Sequence, residues 1–258
     1  MIIANWKMNG SKELIKNWID VVSRDIEINK SKECIFCPPT CYLDFTGTLI
    51  QKNSKNIKLG SQQLDSELLA PLTGGINSQM LVDIGCEFVV IGHSEQRIQI
   101  DESNDILSNK LKTAIEMNIK PIFCVGESLH QKKANQTKDI LVDQLDALTS
   151  SFVDKCIVAY EPVWAIGTGE NAEITYIEEI HSFIKKELRN KSNSINGISV
   201  VYGGSVNLDN YKEIYSERGL GQELIMALTN VASGMAKKRP QKPQIPPKNN
   251  TAITMTTG

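Results

Sequence analysis

The sequence predicts an α/β protein in which a ring of parallel strands is wrapped by helices, a (β/α)8 barrel. Three observations carry this. Short apolar, strand-like runs recur at intervals of about thirty residues, and most of the intervals between them show helical periodicity. The runs are too apolar for half-exposed strands, which implies a parallel sheet covered on its outside. No G-x-G-x-x-G follows the first run, so the main sign of an open dinucleotide-binding sheet is missing and the closed ring is favoured.

The strand-like runs fall at residues 2–4, 34–37, 57–60, 88–92, 121–126, 157–160 and 198–202. After the first, Ser11 stands as a cap before a helix whose Leu14, Trp18 and Val22 share one face. Before the seventh, Ile174, Ile177, Ile180, Ile184 and Leu188 line one face of a helix with Thr175 near its start, and Asn207 stands at the start of the helix expected next.

These units make residues 1–218 one barrel domain. Residues 219–236 take the place of the last βα unit and are atypical. The run Leu224-Ile225-Met226-Ala227-Leu228 suits a strand, while Leu224, Leu228, Val231 and Met235 suit one helical face, and helix is the preferred expectation. A missing eighth strand would leave the first and seventh with open edges. Residues 237–258 hold five Lys or Arg, four Pro and no acid, so this tail is expected to be disordered; with no aromatic residues interleaved its charges make a weak nucleic-acid signal, and no nucleic-acid partner is expected.

Of the 258 residues 41% are hydrophobic and 22% charged, with a net charge of −2, which suits a soluble globular chain. The opening Met1-Ile2-Ile3-Ala4 breaks at once into Asn5-Trp6-Lys7, and no run of about eighteen apolar residues occurs, so neither a signal peptide nor a membrane span is expected. Six cysteines, mostly inside apolar runs, fit a reduced, cytoplasmic location. Cys34 and Cys37 lie three apart on one strand, point to opposite faces and cannot share a metal ion.

In such a barrel the site forms where strands end. The residues there are Asn5 and Lys7, Gln62, His93, Glu127, Glu161, and the turn Gly203-Gly204-Ser205. Glu161 follows a buried strand and precedes Pro162-Val163-Trp164-Ala165-Ile166-Gly167-Thr168-Gly169, an apolar loop with one stiff and one permissive end, as a lid over a general base would be. His93 precedes Ser94-Glu95, where a helix start would favour a neutral imidazole donor. Lys7 would stabilise a developing oxyanion, and Gly203-Gly204-Ser205 would seat a phosphate on backbone N–H groups. Singly, each has a plain structural reading as a capping histidine, a solvated lysine or a tight turn. Together at strand ends they fit proton abstraction beside a carbonyl in an anionic substrate.

Asn5-Trp6-Lys7-Met8-Asn9-Gly10, Ile91-Gly92-His93-Ser94-Glu95, Cys124-Val125-Gly126-Glu127, Tyr160 to Gly169 and Tyr202-Gly203-Gly204-Ser205-Val206 resemble, in order and spacing, the signatures of the triosephosphate isomerase family, over residues 2–218. The resemblance implies a TIM barrel that interconverts dihydroxyacetone phosphate and D-glyceraldehyde 3-phosphate without cofactor or metal. It assigns Glu161 and His93 to proton transfer, and Asn5 and Lys7 to the substrate oxygens. Gly167 and Ser205 fall to the phosphate, Glu95 to support and residues 162–168 to the lid. It also implies a homodimer through the loop around Thr73, although Gly75 and Gln96 stand where the family commonly has Glu and Arg. The family's closing Gly-Gly phosphate loop is not recognisable after Gly219. This leaves a second expectation, a weakly active or non-catalytic relative.

Overall fold

The computed structural model describes residues 1–29, 34–54, 56–65, 72–165, 172–192, 198–204 and 225–228. Eight strands form a closed, wholly parallel barrel in sequence order: β1 (Ile2–Asn5), β2 (Cys34–Cys37), β3 (Ile57–Ser61), β4 (Phe88–Ile91), β5 (Lys120–Val125), β6 (Ile157–Tyr160), β7 (Ser199–Tyr202) and β8 (Ile225–Leu228). The main helices between them are α1 (Lys12–Asn29), α2 (Leu43–Asn53), α3 (Ser78–Asp83), α4 (Ser94–Gln99), α5 (Asn104–Glu116), α6 (Leu129–Lys133), α7 (Thr137–Leu145) and α8 (Ile174–Lys191).

The eighth strand corrects the preference for helix. Ile225 to Leu228 run parallel to β1 in the register Ile2↔Ile225 through Asn5↔Leu228, and Tyr202 of β7 pairs with Ile225. The first and seventh strands therefore do not end in open edges. Helical spacing of Leu224 and Leu228 is a local preference. Two flanking strands, each with a row of unpaired N–H and C=O groups, offer the backbone a hydrogen-bonding partner on either side, and that tertiary demand wins. The expectations for the rest of residues 219–236 and for the basic tail fall outside the described residues, as does the cap at Asn207.

Strand residues alternate between two apolar layers, as period-two geometry requires. Ile3, Ile35, Cys37, Val90, Ile122 and Cys124 fill the barrel interior. Ala4, Phe36, Val89, Ile91, Phe123 and Val125 face outward onto Ile15 and Ile19 of α1, Leu107 and Leu111 of α5, and Ile177, Ile180 and Ile184 of α8. Cys34 belongs to the outer layer and Cys37 to the inner, on opposite faces as the strand period dictates. Leu14, Trp18 and Val22 flank the buried Ile15–Ile19 stripe. Ser11 caps α1 by accepting the Leu14 N–H at 3.2 Å. Thr175 does not cap α8: the helix begins at Ile174 behind Glu173, whose side chain makes no capping bond, and Thr175 is exposed in the first turn.

His181 of α8 is 3% exposed and neither ring nitrogen has a hydrogen-bond partner. It lies edge-on to Tyr160, with centroids 6.1 Å apart. Burial, reinforced by Lys185, lowers its pKa from 6.5 to about 3. Below pH 6.5 the unfolded chain binds a proton on this ring that the folded chain refuses until about pH 3. Stability should therefore fall across that window by up to about 1.4 kcal/mol per pH unit from this residue alone. Chemical denaturation of His181→Leu at several pH values should show a shallower decline than wild type below pH 6.5. Parallel declines would show that the ring does not stay neutral in the fold.

Candidate active site

At the C-terminal rim the chain leaves β1 through Asn5, which is buried and accepts the Lys7 N–H on its side-chain oxygen at 3.0 Å. Trp6 continues the pairing with β2 by donating to the Cys37 carbonyl at 3.0 Å, and its ring meets Phe36 edge-on at 4.8 Å. Lys7 takes φ of 48°, a left-handed conformation that a side-chain-bearing residue keeps only when its surroundings impose it. Gln62, just past β3, supplies part of that imposition, donating its side-chain amide to the carbonyls of Lys7 and Cys37, each at 3.0 Å. The Lys7 ammonium then meets Glu95 Oε1 at 2.6 Å.

β4 delivers His93 through Gly92, whose φ of 71° favours glycine. His93 caps α4: its Nδ1 accepts the Glu95 N–H at 3.2 Å. An accepting Nδ1 carries no proton, so the ring hydrogen of the neutral tautomer sits on Nε2. That nitrogen lies 3.4 Å from Glu161 Oε1.

Glu161 follows β6 and is 1% exposed. Its N–H donates to the Val125 carbonyl at 2.7 Å, and its Oε2 accepts the Ser94 N–H at 3.3 Å. Oε1 has no hydrogen-bond partner. A buried carboxylate oxygen left without a donor is costly, and such an atom at the rim where the strands end points to chemistry. The Cys124 thiol beside it is held well above its usual range, first by burial and then by the Glu161 charge.

Glu127, at the end of β5, is also fully buried, but it is fully engaged. It accepts from Tyr160 at 3.1 and 3.2 Å, from Trp164 Nε1 at 2.8 Å and from the Tyr176 hydroxyl at 3.0 Å. Its backbone carbonyl accepts the Val163 N–H at 3.1 Å. Glu127 thereby anchors the tight turn Val163–Ala165 that follows Glu161. This anchoring role is a property of the assembled fold, since the donors come from β6, the turn and α8. Arg97 was not singled out by sequence. It ties two strand ends, donating to the Gly92 carbonyl at 2.9 Å and the Cys124 carbonyl at 3.2 Å, and burial lowers its pKa. One more cation in a charged stretch gave no signal that its target would be two carbonyls.

The structure thus joins Asn5, Lys7, Glu95, His93 and Glu161 at one rim. Gly167 and Ser205, with the rest of the lid beyond Ala165, lie outside the described residues. Thr73 is exposed in a turn closed by the Gly75 N–H on the Leu72 carbonyl at 3.0 Å. Among the described residues no group of His, Cys, Asp or Glu is arranged to hold a metal ion. What remains is a proton acceptor with a free oxygen, a hydrogen-bond donor facing the same point and an ammonium nearby. This set suits removal of a carbon-bound proton beside a carbonyl.

A family model described as triosephosphate isomerase matches residues 1–225, reaching the first residue of β8. A triosephosphate isomerase of Shewanella piezotolerans is 36% identical over 236 residues, covering 87% of this chain and 90% of the relative. That of Buchnera aphidicola subsp. Cinara cedri is 36% identical over 232 residues, covering 87% and 91%.

The position of Glu161 depends on the absence of a side chain at Gly126. A Cβ there would stand 1.7 Å from the Glu161 carbonyl oxygen, which no local relaxation absorbs. Gly126→Ala should cost about 1–3 kcal/mol in chemical denaturation, and the displaced carboxylate should lower catalytic turnover roughly a hundredfold. Wild-type stability and turnover in that variant would show that the two strand ends do not press together.

Proposed function

The chain belongs to the triosephosphate isomerase family, and from that membership we propose that it is an isomerase of the triose phosphates of glycolysis and gluconeogenesis, interconverting dihydroxyacetone phosphate and D-glyceraldehyde 3-phosphate. Glu161 takes a proton from C1 of dihydroxyacetone phosphate as the His93 Nε2–H hydrogen-bonds the carbonyl oxygen, and an enediolate forms with its charge facing Lys7. The proton on Glu161 is then delivered to C2 while His93 moves a proton between the two oxygens, giving the aldehyde. Asn5 and Lys7 hold the substrate oxygens, Glu95 orients Lys7, and Gly167 with Ser205 grips the phosphate. The observation that carries this reading is the partnerless Glu161 Oε1 lying 3.4 Å from His93 Nε2. A residue-162–168 lid would keep water from the enediolate. Six free cysteines support a cytoplasmic location.

We also infer a homodimer in which the loop around Thr73 inserts beside the neighbour's site. Met8, Leu72, Ile98 and Ile100 are 97%, 64%, 73% and 60% exposed on the segments after β1, β3 and β4, apolar surface that a second copy would bury. With Gly75 and Gln96 unable to form an ion pair, dimerisation should depend little on salt, and sedimentation in about 50 mM and 500 mM NaCl should give similar dissociation constants. A monomer at both would end the dimer reading.

A coupled assay on the full 258-residue chain tests the reaction. Glu161→Ala should lower kcat roughly 10²–10⁴-fold while leaving the circular dichroism unchanged. A folded wild-type chain without turnover would favour a non-catalytic relative.

A further inference from the structure

Against the turn that follows Glu161 lies a cation that the proton transfer does not use. Lys132, on α6, sets its ammonium 3.2 Å from the centroid of the Trp164 ring and 4.6 Å from that of Tyr176. The two rings meet at 63° with centroids 6.1 Å apart. Both residues also donate to Glu127, at 2.8 Å from the Trp164 Nε1–H and 3.0 Å from the Tyr176 hydroxyl. A cation against an indole face is attracted by the ring quadrupole and draws electron density from the ring, which makes the Nε1–H a stronger donor to Glu127.

The acceptor and the cation belong to one short, capped stretch of chain. Glu127 directly precedes Ser128, which forms a capping box with Gln131 at the start of α6, and Lys132 follows Gln131 in that helix. Trp164 is three residues beyond Glu161. The backbone between is held at Glu161 by the Val125 carbonyl and at Val163 by the Glu127 carbonyl.

We propose that Lys132 is a positioning residue for the isomerase reaction: its ammonium clamps Trp164 against Tyr176 with the indole N–H on Glu127, and so fixes the turn from which the Glu161 carboxylate reaches the substrate. This rests on the isomerase reading of Glu161. A plain packing role, with the Lys132 stem merely covering the indole, would be filled equally well by a methionine; the clamp requires the charge.

The test uses the full chain labelled with 5-fluorotryptophan, the Trp164 ¹⁹F resonance being assigned from Trp164→Phe, together with steady-state kinetics. Lys132→Met should lower kcat roughly tenfold, change KM less than about twofold because the residue does not touch substrate, and shift the Trp164 resonance. Lys132→Arg should restore both. Wild-type kcat in Lys132→Met overturns the proposal, and so does a lowered kcat with an unmoved Trp164 resonance. If the wild-type chain turns over no triose phosphate, the isomerase reading fails first. The ¹⁹F spectrum then still decides the clamp: an unmoved resonance in Lys132→Met ends it.

Discussion

Closure of a wholly parallel ring is the constraint on which everything else hangs. Because each strand hydrogen-bonds to a neighbour on either side and all run the same way, their C-terminal ends must converge on one rim. Asn5, His93 and Glu161 are separated by long stretches of sequence, and only that convergence brings them together. The short β8 is what turns an open sheet into a ring, and it is also the strand with the least family-like sequence. The demand of β1 and β7 for backbone partners outweighs the side-chain pattern there.

The rim then treats two buried carboxylates differently. Glu127 is surrounded by hydroxyl and indole donors, so its charge is spent on holding the turn Val163–Ala165. Glu161, a short distance away in the fold, receives one backbone N–H and keeps the other oxygen unengaged. The first arrangement stabilises and the second stores reactivity, because a lone pair facing His93 Nε2 across 3.4 Å is available to a substrate proton. Lys7, held at positive φ by Gln62 and by Asn5, is a backbone cost accepted to place a charge.

Most of this fold was legible in the sequence because a strand buried on both faces has little freedom in composition: runs such as Phe88-Val89-Val90-Ile91 and Ile157-Val158-Ala159-Tyr160 can hardly be anything else. The residues at the strand ends, His93 and Glu161 above all, were legible for the same reason, as polar groups where an apolar run stops. Less legible were contacts that only tertiary structure creates. Arg97 reaching two carbonyls, Lys132 lying on Trp164 and Tyr176 donating to Glu127 all join segments distant in sequence, and none has a local pattern. The strand at 225–228 escaped because its four residues satisfy a helical spacing as easily as an extended one.

The most direct measurement is turnover in D2O with the hydrogens on carbon followed by NMR. If Glu161 removes a carbon-bound proton, some of it will exchange from the carboxyl into D2O before return, so deuterium will appear at the carbon beside the carbonyl of product and recovered substrate, and this labelling will vanish when the Glu161 carboxyl is removed. Labelling that survives without that carboxyl would contradict a proton transfer centred on residue 161.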